Sequence, residues 1–545
     1  ASRHDGYVTD PVTHADYNNK NTVALRTALA WTPNDSYRAD LAADYTHDDS
    51  HMTVGQPTNS LTSAFGQTLY VAPAVVPEYK FQTTTTPGLP NKTRFEHWGV
   101  SANQSYKLTD TLTAKLISAY RELRSDDYID IDATAVQLGD VLVSPNQNQH
   151  SEELQLNYAS GGWNVVGGVY YLREHVKSHQ EAYANAFVQP FTFLRTIDDN
   201  LSTTSWAGYV NGSYSLTDAL RISAGLRYTQ DEKTYYRTTS TFSNLAALRG
   251  TFAFKGKKSW DDVSPMISLD YQATDDLFFY GRIAKGFKSG GFNGRANNPG
   301  EDQPYNPETV VSYEAGVKSQ LWDRRARANF TLFYNDYQDF QARVGRAVTS
   351  PTQIIPSIDF AVLNAGQLKI YGAELEFAAN PIPGLSLNAD LGYLHAEYGE
   401  FLEQRAASAP ATGFITLDRS WQTPAFSPEW TARLAGSYEF NLGDKGFVTV
   451  GGQARYRSEM ALAIDNANLT TRAKFPGMWQ SAYWLYDAQI VWEAPDRKLS
   501  AGLYGKNLSD EVYKTDAQEF SSVGGIRTAY YGNPRTWFVT VSYKY

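Results

Sequence analysis

Two pairs of histidines have a four-residue spacing that could direct both imidazoles at one metal ion. They are His47 with His51, and His175 with His179. This spacing places two side chains on one side of a helix, but both stretches are predicted to be strand ends or loops. Neither pair lies in an HExxH motif or has a third ligand at a suitable spacing. We therefore predict no zinc site at these histidines.

An acidic segment is a second candidate for metal binding. Asp126, Asp127, Asp130 and Asp132 carry the carboxylate oxygens that calcium prefers as ligands. The spacing of ligands in an EF-hand loop is absent. The segment could therefore be a calcium site or an ordinary acidic loop exposed to water. We predict the solvated loop, and we expect the chain to hold no metal and no cofactor.

The remaining motifs do not form a catalytic site. The segment GFKSGGFNG is rich in glycine, but it lacks the spacing of a phosphate-binding loop and follows a strand instead of preceding a helix. Its glycines would allow a sharp bend at the end of the strand. No GxSxG motif is present, and no Ser/His/Asp set has a supporting context. We therefore predict that the protein is not an enzyme.

The composition excludes several further classes of protein. The 545 residues include 37 Tyr and 12 Trp but no Cys, which excludes a disulfide framework and a thiolate metal site. No stretch reaches the ~18 consecutive apolar residues that a membrane-spanning helix needs. The net charge of -10, with no cluster of Lys and Arg, argues against a nucleic-acid partner.

The elements that carry these residues are predicted to be β-strands. The segment RTWFVTVSYKY alternates apolar or aromatic residues with Thr540, Ser542 and Lys544. The same alternation recurs along the chain, in pairs of segments joined by short turns such as TPND and SLTD. We count about nineteen strands of ~9–15 residues, which is the length that a tilted strand needs to cross a bilayer.

The connections between these strands are strongly asymmetric. One end of each strand leads into a tight turn and the other into a long segment, which is typical of a transmembrane antiparallel β-barrel with long extracellular loops. The predicted long loops are Asp49–Lys92, Asp126–Gln149, Lys177–Thr203, Arg237–Lys258, Lys288–Pro307, Gln341–Ala365, Gly399–Ser427, Ser458–Ser481 and Ser509–Asn533.

Charged residues within the strands are predicted to face a water-filled lumen. They fall on the polar face of each alternating strand, and a charge facing lipid at mid-depth would cost about 2–4 kcal/mol. The predicted lumen-facing charges are Arg221, Arg227, Glu314, Lys318, Glu374, Glu376, Arg433 and Arg455.

Aromatic residues in the predicted loops are candidate ligand contacts, because their rings can stack on ring-bearing or sugar ligands. The sequence does not choose between these two ligand types. We expect specificity to reside mainly in Asp49–Lys92 and Gly399–Ser427, since binding residues concentrate in long loops on a rigid frame. The candidate residues are Phe65, Tyr70, Phe81, Phe187, Phe414, Trp421 and Trp479.

Several blocks of sequence resemble the barrel of TonB-dependent outer-membrane receptors. They are Tyr280–Arg295, Tyr305–Gln341, Asn364–Tyr398 and Gly505–Tyr545, in the same order as in the family. The resemblance implies active uptake of a scarce nutrient, most often a ferric siderophore, across the outer membrane of a Gram-negative bacterium. The TonB–ExbB–ExbD complex of the inner membrane would supply the energy.

The resemblance also implies how the barrel is assembled. The closing aromatic residues, Tyr543 and Tyr545, resemble the signal that the barrel-assembly machinery reads, although the family more often ends in Phe. Further expected partners are outer-membrane lipid and a surface lipoprotein that binds the substrate.

Two features of the family have no counterpart in this sequence. Family members carry a TonB box and a globular plug ahead of a barrel of about 22 strands. We expect residues 1–545 to be a partial outer-membrane β-barrel domain. The plug, the TonB box and three strands would lie on a separate or unrecorded segment, whose strands pair with Thr22–Trp31 and Arg535–Tyr545.

Other functions remain alternatives at this stage. A passive porin would conduct small solutes through an unplugged lumen, and a related receptor could import a carbohydrate, cobalamin or an aromatic compound. An adhesive or enzymatic outer-membrane protein is a third class, for which the sequence offers no site.

Overall fold

A computed structural model describes residues 1–297, 302–348, 357–406, 414–520 and 523–544. Within these ranges the helical structure is confined to single 3-10 turns at Ala186–Val188, Ala246–Leu248 and Gly443–Lys445. No helix in the described ranges is long and apolar enough to span a membrane.

A 20-stranded antiparallel sheet forms the frame of the molecule. One member is the short strand Ser2–His4, and the others are nineteen longer strands, β1–β19. The prediction of about nineteen antiparallel strands is confirmed. In order, β1–β19 are Lys20–Asn34, Tyr37–Ser50, Thr93–Lys107, Leu112–Asp130, Asp140–Ser160, Trp163–Tyr183, Leu194–Ser215, Leu220–Phe242, Gly250–Thr274, Leu277–Lys288, Glu308–Leu321, Ala326–Gln338, Gln367–Ala379, Leu385–Glu400, Trp430–Asn441, Phe447–Arg457, Tyr483–Glu493, Leu499–Lys506 and Thr536–Tyr543.

The long connections contain short strands of their own, which pair outside the main sheet. Their bounds are Val8–Thr9, Asp16–Tyr17, Gln56–Pro57, Leu61–Thr62, Thr68–Tyr70, Gln341–Val348, Ser357–Asn364, Leu402–Ala406, Phe414–Asp418, Met460–Ala461, Trp479–Gln480, Lys514–Phe520 and Ile526–Tyr531. All the long connections leave the same rim of the sheet, which we call the loop rim. The opposite rim carries tight turns, as between β1 and β2, where two residues intervene.

Three of the predicted long loops are largely made of strands of the main sheet, and this part of the prediction was wrong. β4 runs to Asp130 and β5 begins at Asp140, so the predicted loop Asp126–Gln149 shrinks to residues 131–139. The predicted loops Lys177–Thr203 and Arg237–Lys258 are shortened in the same way. The physical reason is that strands projecting above the bilayer have water on both faces, so they keep their backbone pairing without an apolar face.

Apolar burial is concentrated at the loop rim. Along β8, the side chains of Leu226 and Tyr228 are 50% and 47% exposed, as expected for residues that face lipid. The buried apolar clusters instead lie among the loops and the adjoining strand ends, for example around Leu138 and Ile526. The barrel wall is therefore held by backbone pairing, and the loops pack around small hydrophobic cores.

The two ends of the sheet are exposed. Register pairs run without a break from Ser2–His4 through β1 to β19, and within the described ranges no register joins β19 to β1. Every residue of β1 except Thr22 is exposed, and so are most residues of β19. β19 therefore offers an open edge, and β1 offers one beyond Thr22, where its pairing with Ser2–His4 ends.

We expect a charge placed on the outer face of β8 to destabilise the barrel. Replacing Leu226 with Arg should lower the free energy of unfolding by about 2–4 kcal/mol, because this side chain faces the middle of the bilayer. Ser223→Arg is the matched control, since Ser223 lies on the opposite face of the same strand. Guanidinium unfolding of the full-length protein in lipid vesicles measures both variants. Equal effects would contradict the assignment of the two faces.

Candidate functional site

A row of polar and charged side chains lies on three neighbouring strands of the barrel wall. Lys318 of β11, Asn329 of β12 and Glu376 of β13 stand opposite one another in register. The Lys318 ammonium lies 5.4 Å from the ring centre of Tyr280, and Asn329 Nδ2 donates a hydrogen bond of 3.0 Å to Glu376 Oε2. These polar groups share one face of the wall.

Two further carboxylates line the same recess of the wall. Glu314 is opposite Arg282 in register, and Glu374 is opposite Thr331. Together with Glu376 they surround the recess that also contains Lys318. Carboxylates therefore outnumber cations here, and the recess is suited to a positively charged group.

The predicted charges on β15 and β16 form a second group. Arg433 Nε donates to Gln453 Oε1 at 2.8 Å, and its Nη1 lies 3.2 Å from Asp390 Oδ2. Arg455 Nη2 donates to Asp487 Oδ2 at 2.9 Å. The two arginines are thus held in ion pairs along adjacent strands.

The predicted charges on β8 lie apart from both groups. Arg227 has its guanidinium carbon 5.6 Å from the ring centres of both Tyr170 and Tyr209. Arg221 stands opposite Asp270 of β9 in register. The structure therefore divides the eight predicted wall charges among three separate regions.

The predicted loop aromatics do not meet in a single pocket. Phe187 is 8% exposed and belongs to a hydrophobic core among the loops, against which Tyr70 packs. Phe65 is more exposed, and its ring lies 6.2 Å from that of Phe191. These side chains hold the loops together.

The other predicted aromatics occupy different loops. Phe81 packs on Tyr79, with 5.1 Å between the ring centres, and belongs to a second loop core. Trp421 lies under Arg472, whose guanidinium carbon is 5.0 Å from the ring centre. Phe414 begins a short strand, and its side chain lies outside the described part of the structure, as does the whole of Tyr545. Trp479 lies in neither of these loop environments and contacts a lysine instead.

Trp479 belongs to a set of cations and rings that the sequence did not reveal. Lys474 Nζ lies 3.9 Å from the centre of the Trp479 ring. The guanidinium carbon of Arg527 lies 3.6 Å from the centre of the Phe475 ring, a cation–π contact at close range. We call Arg295, Lys474, Phe475, Trp479, Phe520 and Arg527 the cation–aromatic cluster.

The cation–aromatic cluster joins three loops of the loop rim. Arg295, from the loop after β10, places its guanidinium carbon 5.4 Å from the ring centre of Phe520. Partial burial lowers the pKa of Arg527 and of neighbouring Lys514, because the charged forms lose solvation. The cations come from positions far apart in the sequence, so neither spacing nor alternation could have identified the cluster. Of the seven candidate ligand contacts chosen from the sequence, only Trp479 belongs to the cluster.

The predicted histidine pairs do not converge on one ligand. His179 Nδ1 lies 2.8 Å from Asp198 Oδ1, whereas His175 Nδ1 contacts Ser202 Oγ at 2.9 Å. His51 Nδ1 lies 3.4 Å from Asp16 Oδ1. His175 and His179 thus have separate hydrogen-bond partners, whereas Nδ1 of His47 and Nδ1 of His51 are buried without a hydrogen-bond partner among the described residues.

Half of the predicted solvated acidic segment is buried instead, which corrects the sequence-based prediction for Asp130 and Asp132, whereas Asp126 and Asp127 are half-buried. Asp130 and Asp132 are 0% and 1% exposed, and Asp140, which the sequence reading had not included, is also buried. Burial raises the pKa of Asp132 to about 6, and burial together with the charge of Asp132 raises that of Asp140 to about 7. The segment folds inward because Leu138 packs into the loop core.

A buried ion-pair network holds the loop that joins β14 to β15. The Arg419 guanidinium donates to Glu403 Oε2 at 2.8 Å and to Asp465 Oδ1 at 2.5 Å. Its carbon lies 4.6 Å from the ring centre of Phe401. Both Arg419 and Glu403 are 0% exposed. The network therefore ties this loop to the one between β16 and β17.

The barrel, its exposed apolar outer face and its loop rim define an outer-membrane β-barrel. Residues 5–508 match the family model described as TonB dependent receptor-like, beta-barrel. The chain belongs to this family, whose members are transport receptors of the Gram-negative outer membrane and not enzymes. The resemblance stated above is thus confirmed.

Individual relatives are distant. The chain is 23% identical over 422 residues to the pesticin receptor of Yersinia pestis, an alignment that covers 75% of this chain and 53% of that protein. A pesticin receptor of Yersinia enterocolitica is 24% identical over 429 residues, with the same coverage. The chain spans about half the length of these curated relatives.

Solved structures show the same fold. The ferric yersiniabactin uptake receptor FyuA from Yersinia pestis superposes with a TM-score of 0.77 at 18% identity, covering 99% of this chain and 74% of that one. The ferric-catecholate import receptor Fiu from E. coli K12, in its closed form, gives a TM-score of 0.70 at 15% identity, covering 99% and 76%.

We expect Arg419→Ala to loosen the loop rim without unfolding the barrel. The change removes the cation that faces buried Glu403, and breaking a buried ion pair costs about 3–5 kcal/mol. Limited proteolysis should cut the loop between β14 and β15 faster than in the native protein. Arg472→Ala is the control, because Arg472 lies over an aromatic ring and outside this network. Equal cleavage of both variants would refute the role of the network.

Proposed function

We propose that this barrel belongs to a receptor that imports a ferric siderophore by TonB-dependent active transport. The observation that carries the proposal is the cation–aromatic cluster at the loop rim of a barrel of this family. Siderophore complexes of iron are large, often anionic and rich in rings or carboxylates. Lys474 and Arg527 are also paired with Glu459 and Glu519. An anionic ligand would exchange these ion pairs for its own charges while its rings stack on the aromatic side chains.

The relatives support the same substrate class. The structures similar to this chain include receptors for ferric yersiniabactin, for ferric catecholates and for ferric citrate. Their identities to this chain are low, so the proposal is for a ferric chelate as a class. The energy would come from TonB, with ExbB and ExbD, through a TonB box on the same receptor.

We further propose that residues 1–545 form part of the barrel domain and that other strands complete it. The open edges of β1 and β19 are exposed, and an unpaired backbone group in lipid costs several kcal/mol. Three further strands, from another segment of the same protein or from a second polypeptide, would pair with these edges and give an even-numbered barrel. The same segment would supply the plug.

The wall charges fit this arrangement. A plug inside the lumen would face the recess formed by Glu314, Glu374 and Glu376, and we propose that it offers basic groups to them. The wall also carries Arg221, Arg227, Lys318, Arg433 and Arg455, which would contact acidic groups of the plug or water. Tyr543 and Tyr545 would serve as the signal for the barrel-assembly machinery, and a surface lipoprotein could deliver the substrate.

We expect removal of the cluster cations to weaken ligand binding. Lys474→Ala and Arg527→Ala should each raise the dissociation constant of an anionic ferric siderophore about tenfold, the equivalent of 1.4 kcal/mol. Quenching of tryptophan fluorescence in the detergent-extracted full-length receptor measures binding of ferric yersiniabactin, a ferric catecholate and ferric citrate.

Lys498→Ala is the matched control for these variants. Lys498 lies in the tight turn between β17 and β18, on the rim opposite the loops. Its replacement should leave the dissociation constant unchanged. Native affinity in both cluster variants, or the same loss in the control, would contradict the assignment of the ligand site to the cluster.

We expect the long loops to determine which chelate is imported. Asp49–Lys92 and Gly399–Ser427 should be exchanged together for the corresponding loops of a related receptor of different specificity. Cells with the exchanged loops should lose growth on the original iron source and gain growth on the other. Unchanged use of the original source would count against this role of the two loops.

A further inference from the structure

Three buried carboxylates meet at the junction of three loops. Asp130 ends β4, Asp132 follows in the connecting loop and Asp140 begins β5. One oxygen from each of them lies within 4.8 Å of the other two. All three side chains are at most 1% exposed, so water at the surface does not solvate them.

The first two carboxylates are held by the backbone. Asp130 Oδ1 accepts a hydrogen bond of 2.8 Å from Ala133 N, and its Oδ2 accepts one of 3.0 Å from Thr86 N. Asp132 Oδ2 accepts a hydrogen bond of 3.2 Å from Gly139 N. Asp132 Oδ1 accepts two further bonds, from Thr134 N at 3.0 Å and from Thr134 Oγ1. These bonds fix the direction of both side chains and leave a further lone pair on Asp132 Oδ2 and on the two Asp130 oxygens.

Asp140 supplies the observation that points to a ligand. Its Oδ1 accepts a hydrogen bond of 3.1 Å from Thr86 Oγ1, but its Oδ2 is buried and has no hydrogen-bond partner among the described residues. No Lys, Arg or His of the described chain forms a salt bridge with any of the three carboxylates. A buried, unpaired carboxylate oxygen is costly, and a cluster of them needs a counter-charge.

We propose that Asp130, Asp132 and Asp140 bind one divalent cation of the calcium type. Calcium takes six to eight oxygen ligands at about 2.3–2.6 Å, so two of its ligands lie at most about 5 Å apart. The observed spacing of the three oxygens fits this limit. Magnesium, with ligands at about 2.0–2.1 Å, would need an oxygen spacing of at most about 4 Å and near-ideal octahedral geometry, which is a stricter demand than the 4.8 Å bound.

The cation would fasten three loops to one another. Thr86, which binds both Asp130 and Asp140, belongs to the loop between β2 and β3. Thr528 Oγ1 donates to the carbonyl oxygen of Ile131 from the hairpin Lys514–Phe520 and Ile526–Tyr531. That hairpin also carries Arg527 of the cation–aromatic cluster, so the cation would set the position of a proposed ligand contact.

Terbium luminescence tests the site directly, because terbium replaces calcium and is excited by nearby tyrosine. Tyr530 is half-buried near the carboxylates, and loss of solvation together with the charges of Asp130 and Asp132 raises its pKa. Terbium should bind the detergent-extracted full-length receptor saturably, and calcium should displace it. Asp140→Asn should weaken terbium binding at least tenfold while still accepting the hydrogen bond from Thr86. Asp126→Asn, on the neighbouring part of β4, should bind as the native protein does.

Hydrogen exchange provides a second measurement that does not depend on uptake. Calcium should slow exchange across residues 130–140 and 526–531 in the native protein, but not in Asp140→Asn. Without calcium the two proteins should exchange alike, which shows that the variant is folded. Terbium binding that calcium does not displace, or that persists in Asp140→Asn, would overturn the proposal, and so would exchange that calcium leaves unchanged in the native protein.

Discussion

Inside a bilayer, a peptide group has no water with which to form hydrogen bonds. Each backbone N–H and C=O of a membrane strand therefore needs a partner in the protein. Antiparallel registers between neighbouring strands from β1 to β19 meet this requirement across the wall. The exposed edges of β1 and β19 are the places in the described wall where such a register is missing.

Because backbone pairing holds the frame together, the side chains on the two faces of the wall and at the loop rim can have different roles. Leu226 belongs to the exposed apolar face of its strand, whereas Arg227 and Glu314 belong to the charged faces of theirs. Hydrophobic cores form at the loop rim, where water drives the apolar side chains together. Ligand contacts can therefore be built on loops that are packed and rigid.

The sequence predicted those features that repeat along the chain. Two-residue alternation and tight turns were enough to identify the strands, because lipid selects apolar residues on one face. The strand ends above the membrane were not predicted, because no lipid selects an alternating pattern of residues there. The cation–aromatic cluster was not predicted either, because folding alone brings the loops of Arg295 and Arg527 together. Asp140 was missed because only the pairing of β4 with β5 places it opposite Asp130.

The most direct test of the account is the uptake of radiolabelled iron by bacteria that express the full-length receptor. Cells should be compared with and without TonB, using the ferric chelate that the receptor binds most tightly. The account predicts saturable uptake that disappears when TonB is deleted. Equal uptake in both strains, rising linearly with concentration, would show a passive channel and contradict the proposed energised transport.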